Sequence, residues 1–82
     1  MSPRLRRMSG EETLSIFRAL GFNVMTQRGS HVKLVRITDE GYRQTLTIPN
    51  HKELDLGTLQ AILRQAGRYV DQHVLREHFY TA

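Results

Sequence analysis

Apolar residues along the chain fall first at helical spacing, then in alternation, then at helical spacing again, with polar and glycine punctuation between the runs. Leu14, Phe17 and Leu20, with Ile16 beside them, mark one face of a helix. Ser9-Gly10-Glu11-Glu12 precedes them in the Ser-x-x-Glu form of a capping box, in which each end group satisfies an orphan backbone donor of the other. Gly21 follows as a left-handed stop. Phe22 to Gln27 is short, β-prone and bounded by glycine, which predicts a first strand with its turn at Arg28-Gly29. From Ser30 to Ile37, Val32 and Leu34 point one way while His31 and Lys33 point the other. Val35 and Ile37 share the side of His31, which breaks the division into dry and wet faces and suggests a bulge or a partly covered outer face. Asp39-Glu40-Gly41 supplies turn chemistry, and Tyr42 to Ile48 alternates again, Leu46 and Ile48 against Thr45 and Thr47, before Pro49 ends the strand.

Asn50-His51-Lys52-Glu53 is a polar loop, and Asp55 is a suitable N-cap for a helix beginning near Leu56. Leu56, Leu59, Ile62, Leu63 and Ala66 form its apolar stripe, and Gly67 closes it. Tyr69 to Tyr80 carries Val70, Val74, Leu75 and Phe79 at helix-compatible offsets, enough for a short terminal helix whose packing the spacing does not place. The predicted class is therefore α+β: helix, three-stranded antiparallel sheet, helix, plus a short C-terminal helix. Consecutive hairpins followed by a helix require both main helices to cover one sheet face and leave the other free. This arrangement resembles the double-stranded-RNA-binding fold, a likeness of architecture that does not by itself fix a function.

Composition narrows the picture. The 82 residues suffice for one sheet layer and one helix layer around a single core. There is no cysteine, which excludes disulfides and thiolate metal sites and fits a reducing compartment, so the expected location is cytoplasmic. Met1-Ser2-Pro3-Arg4-Leu5-Arg6-Arg7 has the basic character of a signal-peptide head, but Ser9-Gly10-Glu11-Glu12 stands where an apolar stretch would have to follow, so export is not expected. Neither a long apolar run nor a lipidation signal points to a membrane. Twelve Lys plus Arg against eight Asp plus Glu leave a net charge of +4, which favours a polyanionic partner without identifying it. Residues 1–8 read as a basic flexible lead and residues 9–82 as a single domain.

The candidate chemistry gathers in Arg28-Gly29-Ser30-His31-Val32-Lys33-Leu34. A glycine and a small hydroxyl residue turn the backbone into a strand that opens on a histidine, the side chain able to exchange protons near neutral pH. Arg28 and Lys33 can hold an anionic phosphate beside it. His51, in the loop after the third strand, is a candidate for a complementary acid. A metal site is not expected: His73 and His78 are five residues apart and point away from each other on a helix, and His31 with His51 lacks a carboxylate partner. No nucleophile elbow surrounds Ser30, whose ordinary role is that of a small hydroxyl residue at a tight turn.

Four motifs, taken together, resemble the HicA toxin family. They are the helix end Leu20-Gly21-Phe22, the strand start Gly29-Ser30-His31, the strand end Thr47-Ile48-Pro49-Asn50-His51, and Leu59-Gln60-Ala61-Ile62-Leu63-Arg64-Gln65-Ala66-Gly67. The resemblance runs from about Ser9 to Gly67 and leaves the basic lead and the last helix unmatched. It implies a metal-independent endoribonuclease, an mRNA interferase of a toxin–antitoxin pair, with no cofactor. Its catalytic histidine would be His31, with Gly29 and Ser30 as parts of the same motif. Arg28, Gly29, Ser30, Lys33, His51 and Lys52 are the candidate RNA-binding or phosphate-stabilising residues. The resemblance also implies a HicB-like antitoxin that covers the active surface, for which Val35, Ile37 and Tyr42 are candidate contacts. The alternative is a noncatalytic RNA-binding module on the same fold. The mixed charge of His51-Lys52-Glu53 and Asp55, where duplex-binding modules carry cations, weighs against it.

Overall fold

The computed structural model describes residues 3–81. Eight elements follow in order: β1 (Arg4–Leu5), α1 (Gly10–Ala19), β2 (Asn23–Arg28), β3 (His31–Ile37), β4 (Arg43–Pro49), α2 (Leu56–Ala66), α3 (Gln72–Phe79) and β5 (Tyr80–Thr81). The sheet of β2, β3 and β4 is antiparallel with β3 central, and β1 pairs with β5 in a separate two-stranded ribbon. The class is α+β, consistent with a double-stranded-RNA-binding-like architecture.

Alternation along β3 and β4 decides which sheet face is covered. Val32, Leu34, Leu46 and Ile48 are buried beneath α1 and α2, against Leu14, Phe17, Leu59 and Ile62. Full burial of side chains this size contributes roughly 1.5–3 kcal/mol each. Both helices lie over β4, whereas every residue of β2 is exposed. The sheet therefore overhangs the helix layer on the β2 side.

The two main helices, α1 and α2, begin as the sequence predicts. Ser9 accepts from the Glu12 backbone N–H at 3.0 Å and its own N–H donates to Glu12 Oε1 at 3.1 Å, completing the capping box. Asp55 accepts from the Thr58 N–H at 2.8 Å. Hydrogen bonds from the Thr58 side chain and then its backbone hold the Asp55 carboxyl below its ordinary pKa, with a small further contribution from His51. The packing of α3 becomes clear only in three dimensions: Phe79 is fully buried, its ring 5.4 Å from that of Phe17, and Phe17 also meets Phe22 edge-on at 5.8 Å.

Several expectations are corrected. Arg4 and Leu5 are strand-paired with Thr81 and Tyr80, Arg6 donates backbone and guanidinium hydrogen bonds to the carbonyls of Phe79 and His78, and Met8 is buried. The described part of the lead is thus tied to the C-terminal element rather than free; Met1 and Ser2 of that lead lie outside the described residues. Phe22 is not a strand residue, because the end of α1 turns it into the core. The first hairpin turn is Gly29-Ser30, with Arg28 paired to His31. Pro49 does end β4, as expected, and is itself the last strand residue, which an edge strand accommodates. The expected irregularity lies in β2, where the register shifts between Val24 and Thr26, and not in β3. The terminal helix begins at Gln72 and not at Tyr69, since Arg68 to Val70 fold back in turns on the end of α2.

One cation is structural. Arg36 lies on the helix side of β3, donates to the carbonyl oxygens of Leu20 and Tyr69 at 2.8 and 3.0 Å and to Gln44 Oε1 at 2.7 Å, and covers the Phe22 ring at 4.5 Å. It ties the end of α1, the α2–α3 connection and β4 to β3. Replacement of Arg36 by Ala should lower unfolding stability by about 2–3 kcal/mol, through two carbonyls losing a charged donor. Arg36→Lys, whose ammonium lacks the planar fork, should recover only part of this in urea titrations.

Close approach sets a second constraint. A Cβ on Gly10 would lie 2.6 Å from Asn50 Cα and 2.6 Å from the Pro49 carbonyl oxygen. Gly10→Ala gains up to about 1 kcal/mol of helix propensity, but the clash is with backbone, so net destabilisation of about 1–3 kcal/mol is expected from denaturant midpoints. Because the Asp55 carboxyl is depressed, its stabilising contribution is present above the ordinary carboxylate range and is lost as pH falls through the folded-state value. Asp55→Ala should accordingly be less stable than wild type at neutral pH, with the gap closing in acid below pH 3.8.

Candidate functional site

The site forms where the β2–β3 hairpin turn meets the exit of β4. Gly29 has φ 57° and Ser30 has negative φ, the pattern of a II′ hairpin turn that matches the right-handed strand twist. The Ser30 carbonyl accepts from the Asn50 N–H at 2.6 Å, so the turn is stitched to the chain leaving β4. Beside it, His51 Nε2 lies 3.2 Å from Ser30 Oγ. The His51 carbonyl accepts from the Gly10 N–H at 2.8 Å, and Asn50 Nδ2 donates to Glu11 Oε1 at 3.1 Å. The first turn of α1 thus braces the segment that carries His51, and only glycine at position 10 lets it come this close.

Residues directly opposite in an antiparallel ladder share a sheet face. His31 is flanked by Arg28 and Pro49, and Lys33 by Thr26 and Thr47. These side chains occupy the uncovered face, where Met25, Thr26, Arg28, His31, Lys33 and Thr47 line a shallow depression of about 340 Å³. His31, Arg28 and Lys33 are exposed. Among the described residues the ion pairs are Arg7–Glu53 and the i,i+4 pair His73–Glu77, so no carboxylate neutralises Arg28 or Lys33. The arrangement offers an imidazole between two free cations, suited to an anion bearing an exchangeable proton.

Of the residues singled out from sequence, Arg28, His31 and Lys33 line this one depression. Ser30 and His51 are joined to each other around the turn, and Gly29 shapes it. Lys52 is exposed on the loop before α2 and does not line the depression. Sequence reasoning missed Thr26, Thr47 and Met25. The threonines follow from alternation once the strand register is known, but the position of Met25 depends on the β2 bulge. Among the described residues no helix is long and apolar enough to cross a membrane, and no three His, Asp or Glu side chains converge as a metal-binding group.

No match was found among curated proteins or solved structures. Residues 10–67 match the family model described as the HicA toxin of bacterial toxin–antitoxin systems. That match covers most of the 82 residues, from the first turn of α1 to the residue after α2, and contains the hairpin turn, the open sheet face and the His51 loop. The chain therefore belongs to the HicA toxin family, the toxin half of a bacterial toxin–antitoxin pair whose action implies a cognate antitoxin.

Proposed function

We propose that this toxin is an endoribonuclease, an mRNA interferase that cuts transcripts without a metal ion and so inhibits translation and growth, with His31 as its catalytic histidine. The supporting observation is the presentation of that imidazole: exposed on the uncovered sheet face, in a depression shared with Arg28 and Lys33. Family membership supports the same reading, because the Gly29-Ser30-His31 strand start lies within the matched region.

In this reaction His31 takes the proton from a ribose 2′ hydroxyl. The 2′ oxygen bonds to phosphorus, the bond from phosphorus to the 5′ oxygen breaks, and a proton is delivered to that leaving oxygen. The products are a 2′,3′-cyclic phosphate and a 5′ hydroxyl. Arg28 and Lys33 offset the charge that builds on the phosphorane. His51 is the candidate acid, its ring steered by the Ser30 hydroxyl, and Lys52 adds a cation on the same loop. A HicB-like antitoxin silences the enzyme in the cytoplasm by covering the open face.

His31→Ala should fold normally, as its side chain is exposed, and should lose about 10²–10⁴-fold in cleavage of a single-stranded transcript, the usual span for a general base or acid. Growth arrest on expression should disappear with it, and mapped wild-type products should carry cyclic phosphate ends. Undiminished cleavage by the variant would remove His31 from the reaction. A wild-type protein that binds RNA and never cuts it would make the chain a noncatalytic binding module.

A further inference from the structure

The open sheet face continues beyond the His31 depression. Next to it, where β2 overhangs the helix layer, lies a second, larger hollow of about 450 Å³, whose walls include Met25, Val35 and Ile37 together with Asn23, Arg36 and Arg43. Met25 lines both hollows. The β2 register shift falls at Met25 and leaves it without a ladder partner on β3, so it forms the partition between them. Ile37 and Met25 are 58% and 50% exposed, a large apolar surface for residues beside a charged site. Arg43 stands opposite Ile37, and the partner found for its guanidinium is the Met25 sulfur at 2.8 Å, a weak acceptor. No carboxylate pairs with Arg43 among the described residues.

We infer that this second hollow seats one unpaired nucleobase of the RNA strand whose backbone passes His31, so that the enzyme grips a nucleotide flanking the cleaved linkage; the inference rests on the nuclease reading for the identity of the strand. Arg28, Lys33 and Arg43 are all cations without carboxylate partners, and all lie on one face. From His31 to Ile37 the face runs six residue steps along β3, about 20 Å at strand rise, which accommodates a few nucleotides. A phosphate backbone matches that row of charge, whereas an apolar hollow between its cations matches the π-face of a base. The Arg43 guanidinium can stack on such a base or hold the next phosphate. A paired base cannot enter, because its faces are already stacked within the duplex. Tyr42 is exposed in the β3–β4 connection and does not line the hollow, so its apolar wall is aliphatic and sulfur, from Met25, Val35 and Ile37, and its polar wall comes from Asn23, Arg36 and Arg43.

The test separates base seating from cleavage by measuring binding in a His31→Ala background. Fluorescence anisotropy would compare a short labelled single-stranded RNA, the same RNA in a perfect duplex, and an abasic ribose-phosphate strand of equal length. The single strand should bind about tenfold more tightly than the abasic strand, the order expected for one seated base. Adding Val35→Ser and Ile37→Ser, at residues that line the second hollow and not the His31 depression, should erase most of that preference while leaving affinity for the abasic strand in place. Arg18→Ala, on the exposed side of α1, should change neither. Equal affinity for single strand and abasic strand, equal affinity for the duplex, or a preference that survives both serine substitutions would overturn the inference and leave the hollow to a polypeptide partner. A base preference in a protein whose wild type never cuts RNA would sink the nuclease reading and keep the seat; cleavage without a base preference would do the reverse.

Discussion

Side-chain alternation along β3 is the constraint on which everything else depends. Val32 and Leu34 are buried under the helices while His31 and Lys33 stand on the other face. A slip of one residue in the pairing would bury a cation and expose two aliphatic side chains, so the same apolar contacts that stabilise the fold also hold the imidazole in solvent. Register is pinned at one end by the Gly29-Ser30 turn and at the other by Arg36, whose helix-side position is set by the same alternation. Stability and presentation of the candidate site are thus one property.

Charge is divided in the same way. Arg36 spends its donors on two backbone carbonyls and a glutamine, where no carboxylate is needed and desolvation is offset by hydrogen bonds. Arg28, Lys33 and Arg43 are left facing solvent on the open side. The two ion pairs among the described residues, Arg7–Glu53 and His73–Glu77, lie elsewhere and are too exposed to contribute much stability. The positive field of the open face therefore belongs to whatever docks there and is not consumed by folding.

The N-terminal segment acts by bracing. β1 closes onto β5, Met8 enters the core, and the first turn of α1 presses on residues 49–51 through Gly10. His51 is held through its carbonyl by α1 and through its ring by Ser30. Both histidines of the site consequently depend on one turn and one helix start.

Local chemistry was readable directly. The capping box at Ser9, the Asp55 cap, the helical stripes from Leu14 and Leu59, and the in-out pattern at His31 to Leu34 are near-neighbour effects, in which a residue's role depends on residues within a turn or two. They were enough for the class, the uncovered face and three of the residues that share the His31 depression. What the sequence alone left open were relations between distant segments. The lead read as free because its partner, β5, lies at the other end of the chain; α3 had no place until Phe79 met Phe17; no local pattern singles out Arg36, whose role is set by carbonyls from two other elements. Gly10 entered only as a spacer within the capping box, and its close approach to the backbone of Pro49 and Asn50 shows only in the packed structure. Periodicity records which side of an element is apolar, but not what will cover it, and only packing decides that.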